Sequence, residues 1–472
     1  MLKTMNALDA LLLLMESPET PMHIAGVQIL KMPRSAGPDF VAKVHREMLG
    51  HAAAHPPFNY RLGPKVAGVG LPAWEVLDRV DLDEHVFRHA LPWPAGQREL
   101  MALVSRLNAG PMDRSRPLWE LHLIEGLPDG CYAVFTRIHH ALMDGQWGMK
   151  LAHETTSADP RRRGLPPYWA VRYDEAVVEA KAREVEDTLL GGRLRRSLAK
   201  LEGAKSVAEL RKAFRRTYEA FRHPADDGLV RPYTAPESML NGKLTPRREL
   251  AVTQLDLALI KELAHAHGAT VNEVVLAVCG GALRHYLLEH DALPDKPIIA
   301  NMPIAIHRSE GAEGGNSIIS GMVSLATHIA DPVQRFETVR GSSQHAKELV
   351  REMATPVALT VYMGVTGIPF LLAQLTGNVE RVHPQNLIVS NVPGPKEKRY
   401  VNGCEIVAEY PISLLVPGQA LNITVVSHAQ WLDVAVLVCP SLVPQPQRLA
   451  DAAKAALDEL AQALKRPATR RR

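Results

Sequence analysis

The chain of 472 residues is long enough for two or three domain-sized units with buried cores. Its hydrophobic content of 46% is ordinary for a globular protein, and a net charge of +3 excludes a global nucleic-acid footprint. Cys131, Cys279, Cys404 and Cys439 lie scattered in apolar surroundings. That spacing fits neither a metal site nor a disulfide framework, and it suits buried thiols in a reducing cytosol.

Asn6 is positioned to cap a short helix, with Asp9 at its third position. The apolar run Ala10 to Met15 follows Asp9 and is too short for a signal peptide. Ile24 to Leu30 reads as a strand, and Phe40 to His51 and Gln97 to Leu107 read as helices. Pro117 to Glu125 and Cys131 to Ile138 then form a strand pair turned by Leu127-Pro128-Asp129-Gly130.

Directly after the second of these strands stands His139-His140-Ala141-Leu142-Met143-Asp144-Gly145. A histidine at a strand end is held rigidly while its edge faces a cleft. Its imidazole titrates near neutral pH, so it can take a proton from a hydroxyl and later release it. Asp144 is expected to turn inward and clamp the loop with an arginine, and Gly145 to let the chain turn tightly. Cys131 precedes His139 by eight residues on one strand, roughly 26 Å at about 3.3 Å per residue, too far for a Cys–His pair. No G-x-S-x-G elbow and no P-loop is present.

From Arg161 to Arg222 there are 16 Lys or Arg against 9 Asp or Glu, a net of +7. Apolar residues recur at helical spacing, as in Leu194, Leu198 and Leu201. This is a basic amphipathic helix or helix pair. It reads as a solvated linker, a surface for anionic lipid headgroups, or a contributor to binding coenzyme A phosphates.

Thr270-Val271-Asn272-Glu273 is a capping box that opens a helix running to about His285. Ile298 to Ile306, Ser317 to Leu325, Leu387 to Val392 and Leu421 to His428 read as strands, and Gln447 to Leu464 as a closing helix. Val357 to Gly377 is uncharged and long enough to cross a bilayer, yet it holds Thr360, Thr366, Gln374, Thr376, Pro369 and three glycines. It reads as a buried helix broken near Gly367-Ile368-Pro369, or as a wall of an acyl or alcohol tunnel. If the two halves copy one design, only the first keeps the chemistry, because His428 is followed by Asp433 rather than by an aspartate at spacing four. Periodicity alone gives a mixed α/β protein of two units.

The HHxxxDG run resembles the signature of an acyltransferase superfamily that includes chloramphenicol acetyltransferase and the condensation domains of peptide synthetases. Within it, the chain resembles the bacterial wax ester synthase/diacylglycerol acyltransferase family over nearly its whole length. The resemblance is carried by Leu8-Asp9, Glu16-Ser17, Thr20-Pro21-Met22-His23, Pro117-Leu118-Trp119 and His139 to Gly145. Val271-Asn272-Glu273, Gly315-Asn316-Ser317 and Ser390-Asn391-Val392-Pro393-Gly394-Pro395 add to it. The family often has Asn-Asp where this chain has Asn272-Glu273.

The resemblance implies two chloramphenicol-acetyltransferase-like halves, mixed sheets flanked by helices with a tunnel at their interface. Residues 1–160 would form the half carrying HHxxxDG, 161–227 the basic helical linker and 228–472 the second half. It implies an acyl-CoA-dependent O-acyltransferase that makes wax esters from long-chain fatty alcohols, triacylglycerol from diacylglycerol, or both. His140 is the expected general base, with direct transfer and no cofactor or metal beyond acyl-CoA as co-substrate. His139 is expected to buttress the loop, and Asp144 to pair with an arginine of the other half, with Arg308 as candidate. Asn272 would orient the alcohol or stabilise the oxyanion, Pro117-Leu118-Trp119 would pack the floor, and Asn391 would turn the loop at the cleft mouth. The expected location is cytoplasmic, peripheral to the inner membrane face or lipid inclusions. A condensation-type enzyme using carrier-bound acyl groups and a non-catalytic lipid-inclusion coat protein are the alternatives.

Overall fold

A computed structural model describes residues 2–5, 7–63, 72–143, 145–172, 230–231, 233–306, 317–352, 369–370, 372–374, 376 and 378–465. Most of the basic linker, Asn6, Asp144, Arg308, much of the uncharged stretch from Val357 and the basic tail after Lys465 lie outside these residues.

The first part of the chain contains β1 (Leu2–Thr4), α1 (Ala7–Met15), β2 (His23–Lys31), α2 (Phe40–Leu49), β3 (Tyr60–Leu62) and β4 (Ala73–Val76). It continues with β5 (Val86–Ala90), α3 (Gln97–Leu107), β6 (Trp119–Glu125), β7 (Cys131–His139) and α4 (Gly145–Thr155). After the linker come β8 (Glu249–Asp256), α5 (Leu257–Ala266), α6 (Val271–Glu289), β9 (Ile299–Ile306), β10 (Ser317–Ser324) and α7 (Pro332–Glu352). The chain closes with β11 (Leu387–Val392), β12 (Tyr400–Val401), β13 (Cys404–Ile412), β14 (Leu421–His428), β15 (Trp431–Val438) and α8 (Pro446–Lys465).

Two six-stranded mixed sheets result. The first has the order β12-β13-β2-β7-β6-β5 and the second β10-β9-β11-β14-β15-β8. The first sheet therefore draws strands from both ends of the chain, with β13 antiparallel to β2.

Local chemistry explains several elements. β6 and β7 pair antiparallel. Their connection places Gly126, Asp129 and Gly130 at positive φ, the turn that Pro-Asp-Gly announces. At the start of α6, Thr270 Oγ1 accepts the Glu273 amide at 3.3 Å while Glu273 Oε2 accepts the Thr270 amide at 2.8 Å. Asp256 accepts the amides of Ala258 and Leu259 and so caps α5. Helix α3 lies across both sheets: Leu100 and Val104 share a core with Val27, Phe135 and Leu250. The Leu250 amide reaches Ser105 Oγ at 2.9 Å.

Among the described residues no single helix is long and apolar enough to cross a membrane. The pair α5 and α6 meets the length and composition test only together, but is bent by 109°. The cysteines are all free thiols.

Candidate active site

Strand alternation sets the site. β2 and β7 pair with Ile24 opposite Ile138, Gly26 opposite Thr136 and Gln28 opposite Val134. All six line one cavity of about 780 Å³, within the ~300–1,000 Å³ usual for ligand pockets. His139 pairs with His23, one residue out of phase with that row, so both point to the opposite face. His140 falls back into phase. Its amide donates to the Met22 carbonyl at 2.8 Å, which prolongs the ladder, and the residue lines the cavity. Helix α4 covers this face, contributing Gly148, Leu151 and Thr155. The opposite wall comes from β11, β14 and the loop after β11, so the cavity lies between the two sheets.

His139 is fully buried and its Nδ1 accepts the Ala141 amide at 3.0 Å. That bond leaves the proton on Nε2, which stands 3.4 Å from Glu16 Oε1, an ion-pair distance rather than a well-aligned hydrogen bond. Burial works to raise the Glu16 carboxyl. Contact with His139, the Met22 amide at 3.0 Å and Arg114 at 3.0 Å overcome it and hold the pKa at about 2. Behind them, burial and the Arg137 charge push His23 down to about 4, against the bond that its Nε2 donates to Asn108 Oδ1 at 3.0 Å. His139 thus holds the loop from below while His140 faces the open space. Glu16 and His23, quoted above only for their family resemblance, form this support. Their roles were invisible in sequence because nothing local ties residue 16 to residue 139.

Pro117, Leu118 and Trp119 are buried beside this loop. The Leu118 carbonyl accepts the His139 amide at 2.9 Å. Trp119 donates Nε1 to the Phe58 carbonyl at 2.8 Å and packs edge-on against Tyr168, which lines the cavity. Gly145 opens α4. Asp144 and Arg308 lie outside the described residues.

Asn272 and Asn391 meet: Asn391 Nδ2 donates to Asn272 Oδ1 at 3.1 Å, and Asn272 Nδ2 lies 2.9 Å from Met302 Sδ. Neither lines the cavity, whereas Ser390 and Val392 beside Asn391 do. Glu273, the departure from Asn-Asp, caps α6 and takes an ion pair from Lys347 at 2.7 Å, so its longer side chain has structural work. Gly394 passes so close to β14 that any side chain there would run into the Ser427 carbonyl. Among the described residues, no group of three or more His, Cys, Asp or Glu side chains is arranged to hold a metal ion.

The sequence model of the wax ester synthase/diacylglycerol acyltransferase catalytic domain matches residues 5–275, and that of the WS/DGAT C-terminal domain matches residues 314–461. A putative diacylglycerol O-acyltransferase of Mycobacterium bovis is 38% identical over 458 residues, 97% of this chain and 98% of the relative. The O-acyltransferase WSD of Acinetobacter baylyi is 33% identical over 452 residues, 95% and 94% of the two chains. The wax ester synthase/diacylglycerol acyltransferase of Marinobacter aquaeolei has a similar structure, with a TM-score of 0.77, 30% identity and coverage of 98% and 99%. The first condensation domain of the calcium-dependent antibiotic synthetase shares the fold alone, at a TM-score of 0.57 and 15% identity over 99% and 97% of the two chains. With two domain models in order and such identity over nearly its whole length, the chain belongs to the wax ester synthase/diacylglycerol acyltransferase family of O-acyltransferases.

Proposed function

We propose that this enzyme moves the acyl group of acyl-coenzyme A to the hydroxyl of a long-chain fatty alcohol, of diacylglycerol, or of both. His140 is the general base. It takes the hydroxyl proton as the alcohol oxygen bonds to the thioester carbonyl carbon. The tetrahedral oxyanion then collapses, the carbon–sulfur bond breaks and the imidazolium returns the proton to the departing thiolate. Acyl-coenzyme A is a co-substrate in this scheme, and no other cofactor takes part.

The observation that carries the reading is the phase change between the two histidines: His139 is buried against Glu16, and His140 lines a cavity between the sheets. Lys396 and Arg399 line the same cavity and suit the phosphates of a coenzyme A thioester. Donor and acceptor are both lipids, so we place the enzyme in the cytoplasm, peripheral to the inner membrane face or to lipid inclusions. The basic run after Arg193 supplies charge for anionic headgroups.

The test is a product assay with palmitoyl-coenzyme A and either hexadecanol or a diacylglycerol, on wild type and on His140→Ala. Wild type should form ester with at least one acceptor, and a folded His140→Ala should form almost none. Near-normal turnover by that variant would remove His140 from the mechanism.

A further inference from the structure

One end of the first sheet carries side chains that the proton transfer does not use. The register fixes which loops meet there. Ala90 pairs with Glu125, and the Leu91 amide donates to the Glu125 carbonyl at 2.9 Å. Lys31 pairs with Cys131 on one side and with Glu405 on the other, and the Met32 amide donates to the Gly130 carbonyl at 2.9 Å. The loops after β5 and β2 and the β6–β7 and β12–β13 turns therefore project from the same end. They span four strand spacings, about 19 Å at roughly 4.8 Å each. The segment after α4 joins them, since the Leu165 amide donates to Asn402 Oδ1 at 2.8 Å.

Trp93, between Pro92 and Pro94 on this rim, is 88% exposed, more than any other large hydrophobic side chain among the described residues. The charges around it do not balance. Glu125 pairs with Arg88 at 3.1 Å, Asp159 with Arg161 at 3.4 Å and Glu405 with Lys398 at 2.7 Å. Lys31, Arg34, Arg98, Arg162 and Arg163 are exposed and form no ion pair among the described residues. The carboxylates left on the rim are Asp39, Glu99 and Asp129, and Glu99 is turned onto the Gly96 amide at 2.9 Å. Arg98 stands in the first turn of α3, where the helix dipole disfavours a cation, so helix stability does not account for it.

An indole held outward among cations suits the boundary of an anionic bilayer: the ring settles between headgroups and acyl chains while the cations meet phosphates. The cations are spread along the sheet end rather than gathered round one pocket, which fits a plane of headgroups. The cavity reaches the same end, because its lining residues Gln28 and Ile406 stand within three residues of the Lys31–Glu405 pair. We propose that this rim is the face by which the enzyme docks on an anionic phospholipid surface, with Trp93 as the side chain that inserts. This rests on the reading of the enzyme as peripheral to the membrane, and adds a folded contact to the basic run after Arg193.

Flotation of the full-length enzyme tests it, with vesicles of mixed phosphatidylglycerol and phosphatidylcholine or of phosphatidylcholine alone. Wild type should bind the anionic vesicles at least about tenfold more tightly. Trp93→Ala should weaken that binding about tenfold, the loss of one large apolar side chain from the interface. Arg34→Ser combined with Arg98→Ser should weaken it by roughly fivefold for each charge. Leu14→Ser removes another exposed apolar residue, two positions from Glu16 and so at the opposite, His139 end, and should bind as wild type. Acrylamide should quench Trp93 in solution but not on anionic vesicles, a difference that Trp93→Phe removes. None of these residues lines the cavity, so every variant should turn over hexadecanol in detergent micelles at the wild-type rate. Undiminished binding by Trp93→Ala and by the arginine variant, equal binding of neutral vesicles by wild type, or a loss confined to Leu14→Ser would overturn this face while leaving peripheral attachment intact. A wild type that binds neither kind of vesicle would overturn the peripheral reading, and this face with it.

Discussion

Each sheet ends a central strand in a buried histidine near a carboxylate, yet the two ends are built differently. In the first sheet, β7 ends at His139, which faces Glu16, and the chain runs on through His140 into the loop beneath α4. In the second, β14 ends at His428, whose Nδ1 lies 3.7 Å from Asp433 Oδ2. There the chain turns straight back: Ala429 adopts φ 50°, and Trp431 pairs with His428. Neither Ala429 nor Gln430 lines the cavity that His140 faces. A histidine–carboxylate pair at a strand end is therefore support. The proposed chemistry falls to the next residue, one step out of phase, at the cavity.

The largest effect that distinguishes the two ends is on turnover. His140→Ala should lower kcat by about a hundred- to ten-thousand-fold, while His428→Ala should leave kcat unchanged, both with wild-type circular dichroism. Comparable losses in the two variants would dissolve the contrast.

The support beneath His139 should show next, as stability. Glu16→Ala leaves the buried His139 Nε2–H and the Met22 amide without their acceptor, and should cost about 1–3 kcal/mol in urea unfolding. Glu16→Gln should recover part of that, since it still accepts the Met22 amide. The Glu16 carboxyl is held at about 2, below its ordinary 4.5. Its contribution is therefore complete above pH 4.5 and is lost as pH falls from there toward 2.

His23 gives an effect of opposite origin in a higher window. It is held at about 4 where 6.5 is ordinary, so the unfolded chain takes up a proton that the folded chain refuses. Stability should fall by roughly 3 kcal/mol as pH drops from 6.5 to 4, and His23→Gln should flatten the Tm profile across that range. The smallest effect is expected at the packing layer: Trp119→Phe loses the bond to the Phe58 carbonyl and should cost about 1–2 kcal/mol, with little change in kcat.

What could be read beforehand follows the range over which each feature is encoded. The β6–β7 pair, α3, the α6 capping box and α8 rest on periodicity and caps within a few residues, and all stand where the spacing puts them. The place of His140 at the cavity was legible because strand, phase and motif are contiguous. Strand β13 was not read as one, although its burial alternates from Cys404 to Ile412. Glu405 and Glu409 interrupt its apolar pattern, and Pro411 argues against a strand interior. Pro411 is tolerated because β12 begins only at Tyr400, opposite Glu405, which leaves that part of β13 at an edge. Glu16 beneath His139 and Glu409 beside Gln28 are contacts between distant segments, and no local pattern announces them.

The position of β13 also has a consequence for synthesis. Until residue 412 has left the ribosome, one side of β2 lacks its neighbour and presents an open row of amides and carbonyls. Roughly 380 residues separate the two strands, a wait on the order of 20–75 s at typical elongation rates. During that interval the nascent first sheet keeps an unpaired edge, which only its own late strand covers.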